Sequence, residues 1–140
     1  MRKICLAVII FTLCSSSLSM AASVSFSYGF NDYDDPIPPR LRYPINELAV
    51  LPPGEPLKFS WWNDVTDTRK FILKIYKGYN MYADNLIVRE ELPQSAAIYN
   101  ASSALFNDGQ VYTWSLIRVT GAGYKSDRSF NSFKVVRKNG

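Results

Sequence analysis

The sequence predicts an all-β protein, an antiparallel sandwich of about seven strands. Three observations predict it. Apolar and aromatic residues recur at a spacing of two in one segment after another, as in Leu57-Lys58-Phe59-Ser60-Trp61, which is the period of a strand with one buried face. Between these segments stand clusters of turn formers, Pro52-Pro53-Gly54-Glu55-Pro56, Asn107-Asp108-Gly109 and Thr120-Gly121-Ala122-Gly123 among them, which favour the backbone angles of a reversal. No stretch sustains the apolar period of 3.6 that a helix would show.

The chain opens with Arg2 and Lys3, an apolar run from Ile4 to Leu13 and a small-residue exit at Ser19-Met20-Ala21-Ala22, the order of a secretory signal peptide. Residues 1–22 are expected to be that peptide, cut after Ala21 or Ala22, with export to the periplasm or the extracellular space. The apolar run is about half the roughly 20 residues that cross a bilayer as a helix, so no transmembrane anchor is expected after cleavage. A lipid anchor on Cys14 would want a small residue where Leu13 stands. Both cysteines, Cys5 and Cys14, fall in the removed segment, so the mature chain is expected to hold together by packing, without a disulfide. Its length is enough to bury about 60% or more of the unfolded surface in one core.

Residues 23–43 read as an N-terminal strand and a Pro-rich linker. Val24, Phe26, Tyr28 and Phe30 alternate with small residues, and Pro36, Pro38 and Pro39 then lack the N–H groups that a ladder needs. The sandwich is expected over residues 44–137. Pro44–Leu51 is its first strand and Leu57–Trp61 its second; Lys70–Lys77 follows, with Phe71, Leu73 and Ile75 inward and Ile72, Lys74 and Tyr76 outward. Leu86–Leu92 and Ala96–Ser102 are shorter strands, and Phe130–Val136 is the last, with Phe133 and Val135 inward.

The strand on which the rest is organised runs from Val111 to Leu116. Tyr112, Trp114 and Leu116 share one side, and the strand follows the turn at Asn107-Asp108-Gly109, with Phe106 six positions before the tyrosine. The order P-L-K-F-S-W at Pro56–Trp61, F-I-L-K-I-Y at Phe71–Tyr76, F-N-D-G-Q-V-Y-T-W-S-L at Phe106–Leu116 and a G-x-G loop before the final strand resembles a fibronectin type III domain, an immunoglobulin-like sandwich, of a secreted bacterial protein. The resemblance implies that Trp61 is the core tryptophan of the second strand and that Tyr112 is a corner tyrosine whose phenol reaches back to the backbone. It also implies a non-catalytic interaction or spacer module. Asp108 stands where the family often has proline, and Ala96–Ser102 is poor in large apolar residues.

Composition excludes several functions. The chain has no histidine, so with the cysteines removed the usual zinc, iron and copper ligands and the thiol and imidazole nucleophiles are missing; no catalytic residue, cofactor or metal site is assigned. Asp32, Asp34 and Asp35 match no calcium loop, and the acidic pairs Asp64/Asp67 and Glu90/Glu91 lack a nucleophile beside them. The signal peptide takes Arg2 and Lys3 with it and leaves 14 basic against 12 acidic residues, scattered along the chain, which argues against nucleic acid. Asn100-Ala101-Ser102 is a glycosylation sequon, meaningful only after passage through an endoplasmic reticulum.

The expected function is therefore that of an exported, non-enzymatic module of the cell envelope or extracellular space that binds a protein partner. The alternative is a carbohydrate-binding module in which Trp62, Tyr76, Tyr79 and Tyr82 form a stacking surface, whereas Trp61, Tyr112 and Trp114 belong to the core. Ile72, Ile117 and Phe130 have outward parity on neighbouring strands and are expected to form an apolar contact patch, with the Val24–Phe30 segment of the same or a neighbouring chain as its cover.

Overall fold

The structure, a computed structural model, describes residues 35–139. The expected signal peptide, the Val24–Phe30 strand and Asp32 and Asp34 lie outside the described residues. Eight strands form two sheets: β1 (Arg40–Tyr43), β2 (Leu48–Leu51), β3 (Leu57–Trp62), β4 (Thr68–Lys77), β5 (Leu86–Pro93), β6 (Ile98–Ala101), β7 (Val111–Thr120) and β8 (Ser129–Arg137). The order is β1-β3-β6 in the small sheet and β2-β8-β7-β4-β5 in the large one. Pairing is antiparallel throughout except for β2, which runs parallel to β8 from Leu48↔Lys134 to Leu51↔Arg137.

The expected strand Pro44–Leu51 is corrected to Leu48–Leu51 alone, in the large sheet, and a further strand precedes it in the small sheet. Free N–H groups return after Pro39, so Arg40–Tyr43, assigned above to the linker, pairs with β3. The chain then crosses at residues 44–47, where Asn46 takes a positive φ of 47°, and β2 joins the large sheet. The Trp114 indole N–H donates to the Pro44 carbonyl at 2.8 Å inside the protein and so ties the central strand to this crossing. Such a bond matters because a buried donor without a partner costs about 1–3 kcal/mol.

The core lies between the inward faces. Phe59 of β3 meets Trp114 of β7 edge-on at 5.1 Å and Phe133 of β8 at 5.7 Å, and Trp61 meets Phe71 at 5.6 Å; these are the offset geometries that ring quadrupoles favour. Trp61, Tyr112 and Trp114 are all buried. The Tyr112 hydroxyl accepts from the Asn107 N–H at 2.8 Å and donates to the Leu105 carbonyl at 3.4 Å, while Phe106 packs edge-on against its ring at 5.0 Å. This is the geometry of a tyrosine corner. Asp108 uses its carboxylate to accept the Arg137 N–H at 2.8 Å, and Gly109 supplies the φ of 72° that the turn requires.

Candidate functional site

With the inward faces spent on the core, recognition falls to the outward faces and the two ends. The outward face of the small sheet is built by alternation. Lys58, Ser60 and Trp62 of β3 point away from the core side chains Leu57, Phe59 and Trp61. Register then sets Arg40 opposite Trp62, Ile98 opposite Ser60 and Asn100 opposite Lys58. An irregularity between Leu41 and Tyr43 brings Arg42 over the same tryptophan. The Trp62 ring carries the Arg42 guanidinium at 4.9 Å and that of Arg40 at 5.6 Å, within the range of cation–π attraction.

Arg40 also forms an ion pair with Asp64. Among the described residues no carboxylate pairs with Arg42 or Lys58. Beside them runs a groove of about 330 Å³ lined by Arg42, Tyr43, Lys58, Ser60, Trp61 and Ile98, and the Trp61 indole N–H is buried with no acceptor. Two cations without a carboxylate among the described residues, one of them over a ring, thus flank a groove with hydrogen-bonding groups in its lining. Such an arrangement attracts an anion and orients it.

The expected aromatic surface does not assemble. Tyr76 points outward from β4 but is only 4% exposed, because β5 and β7 flank it on both sides; parity sets the side of a sheet, not the depth. Tyr79 and Tyr82 are exposed but follow the far end of β4, whose ten residues span about 33 Å. The loop after Trp62 lies at the opposite end, tied there by Asn63 to the Gln94 and Ala96 carbonyls and by Asp67 to the Gly121 N–H. Trp62 and the two tyrosines therefore cannot form one platform. Tyr79 instead borders a separate shallow groove with Asn46, Glu47, Leu48, Ser132 and Lys134.

The expected apolar patch forms only in part. Ile72 and Ile117 are direct cross-strand partners, and Phe130, opposite Ser115, is the diagonal neighbour of Ile117 on the same face. Ile72 is buried at 6% exposure, Ile117 half-buried and Phe130 exposed at 58%, so Phe130 alone stands bare. The segment expected to cover them lies outside the described residues.

The acidic pairs are taken up individually. Asp64 holds Arg40, and Asp67 accepts the Gly121 N–H. Glu91 lies between Lys70 at 2.8 Å and Arg89 at 3.2 Å; the hydrogen bond from Lys70, followed by that from Arg89, holds its carboxyl below the usual range. Glu90 points to the other side of β5, where burial and then the Glu90 charge push the Tyr99 phenol up. No group of three acidic residues converges among the described residues, and no helix there is long and apolar enough to cross a membrane.

The basic cluster went unread in the sequence because Arg40 and Arg42 were placed in the linker. A usable signal exists: R-L-R-Y and K-F-S-W both alternate, and pairing them puts three cations on one face.

No family model matches the chain, and no curated protein does. Among solved structures, the chain is similar to the Clostridium perfringens spore cortex lytic enzyme SleM, at 18% identity and a TM-score of 0.47, over 76% of this chain and 31% of that one. The match thus spans about a third of the enzyme's length. It is also similar to an Fn3-like protein from Clostridium thermocellum, at 15% identity and a TM-score of 0.49, over 76% of this chain and 100% of that one.

Proposed function

We propose that the protein is a non-catalytic, exported binding module of the cell envelope or extracellular space, and that its working surface is the outward face of the small sheet. The observation that carries this reading is the Arg42 guanidinium, held over the Trp62 ring at 4.9 Å and without a carboxylate among the described residues. A guanidinium over a ring keeps N–H groups that can meet an oxygen pair. The partner carries negative charge. Support for export is the N-terminal sequence, and support for a non-catalytic role is the separate engagement of Asp64, Asp67 and Glu91.

The test is retention of the full-length chain on the cell-envelope fraction of the source cells. Arg42→Ala combined with Trp62→Ala should lower retention about tenfold or more, the loss expected for one charge-assisted contact, with the unfolding midpoint little changed because both side chains are exposed. Tyr79→Ala with Tyr82→Ala, at the other end, should leave retention intact. Loss in the tyrosine variant alone would move the working surface to that end and sink the proposal.

A further inference from the structure

We infer that the small-sheet face binds a carboxylate-bearing polysaccharide, a polyuronate chain lying across β1 and β3 with one carboxylate on Arg42 and another on Lys58. The inference rests on reading this face as the working surface. Its first support is charge complementarity: three cations, Arg40, Arg42 and Lys58, share the face, and the one carboxylate bonded there among the described residues, Asp64, is spent on Arg40. The net field is positive, and a linear polyanion can meet two separated cations at once.

The second support is an internal example. Arg40 lies over Trp62 at 5.6 Å and takes a carboxylate in that position; Arg42 lies over the same ring at 4.9 Å and takes none. The empty guanidinium fork therefore has a filled neighbour that shows what it accepts. Carboxylate is the chemistry the face already uses.

The third support separates a glycan from the other polyanions. A protein interface has an apolar centre depleted of charge, ringed by polar groups; here Lys58 stands exposed on the central strand, Ser60 beside it is buried, and the apolar contacts, Trp62 and Ile98, lie apart from each other among the cations. A nucleic-acid strand wants bare aromatic faces on which bases stack, and the Trp62 ring already carries two guanidiniums. A hydrated sugar chain matches what is left, because Asn100 and the groove offer hydrogen-bonding groups to hydroxyls beside the cations.

The experiment is calorimetric titration of the full-length protein with polygalacturonate, with dextran as the neutral glycan and inorganic polyphosphate as the phosphate polymer. Polygalacturonate should bind, weaken as salt is raised and lose about tenfold in affinity in Arg42→Ala. Arg42→Lys, which keeps the charge but not the planar fork, should recover only part of that loss. The unfolding midpoint of each variant guards against a folding defect. Dextran binding as tightly, polyphosphate binding where polygalacturonate does not, or full affinity in Arg42→Ala would each overturn the inference. If the Arg42/Trp62 double variant loses envelope retention but polygalacturonate neither binds nor competes, the ligand class is wrong and the surface stands; if retention survives the double variant, the surface reading itself has failed.

Discussion

The two outward faces of the sandwich follow the same alternation yet end in opposite states. On the large sheet the central positions are sealed: Thr113 and Ser115 are each only 1% exposed, Thr113 bonds the Gly78 carbonyl and the Ser132 hydroxyl at 2.7 Å each, and Glu91 takes both Lys70 and Arg89. On the small sheet Arg42 and Lys58 stand without a carboxylate, and Ser60 borders an open groove. Five strands provide flanks that cover a middle; three strands have edges on both sides of one central strand and leave Lys58 and Trp62 exposed, with Ser60 buried between them. The difference teaches where to look for function in such a sandwich. It lies in how the middle of each sheet is covered rather than in leftover charge alone, since Lys74 and Lys134 on the large sheet's outward side also have no carboxylate among the described residues.

Both faces depend on one interior, so the largest expected effect is the one that removes their difference. Trp114→Ala takes out a buried indole, its 2.8 Å bond to the Pro44 carbonyl and its edge-on contact with Phe59, and should cost about 3–5 kcal/mol. Denaturant unfolding would record it as a large fall in midpoint, and binding at the small-sheet face should weaken along with it. An unchanged midpoint would mean that β7 does not point its tryptophan inward, and the assignment of faces would fall too.

A smaller effect sets the two outward serines against each other. The Ser115 hydroxyl is buried with no hydrogen-bond partner, so Ser115→Ala should raise stability by about 1 kcal/mol by removing an unsatisfied polar group. Ser60 is also buried, at 8% exposure, but its hydroxyl borders the groove and is not an orphaned buried group, so Ser60→Ala should bring no such gain. Unfolding curves of the two variants side by side decide it. Equal shifts would show that the faces are not differently sealed.

Much of this was legible in the sequence where one strand's own alternation carried the information. Phe71, Leu73 and Ile75 of β4 and Tyr112, Trp114 and Leu116 of β7 face inward and are buried, and the spacing of Phe106 to Tyr112 marked a corner that the structure closes with hydrogen bonds. What was not legible depends on neighbours. The burial of Tyr76 comes from strands on both sides of it, and the late start of the expected first strand comes from a crossing that residues 44–47 do not announce. The separation of Trp62 from Tyr79 and Tyr82 was in reach, because one antiparallel strand between two loops puts them at opposite ends. The basic cluster needed the register of β1 on β3, which no single-strand pattern supplies.

The smallest expected effect tests whether paired charge is what finishes the large face. Glu91 is held below its ordinary value of 4.5 by the hydrogen bond from Lys70 and then that from Arg89. A depressed carboxyl contributes stability that is present above its unfolded pKa and lost as pH falls through the folded one. The advantage of the parent over Glu91→Gln should therefore be fullest at neutral pH and shrink below about pH 4.5. The side chain is 43% exposed, so solvent and salt screen the pair and the whole effect should be slight. Unfolding midpoints of both proteins, taken from pH 7 down through pH 3 at low salt, would show the two curves converging. Curves that stayed parallel would mean that the Lys70–Glu91–Arg89 cluster does not stabilise this face, and its closure would rest on packing around Thr113 and Ser115 alone.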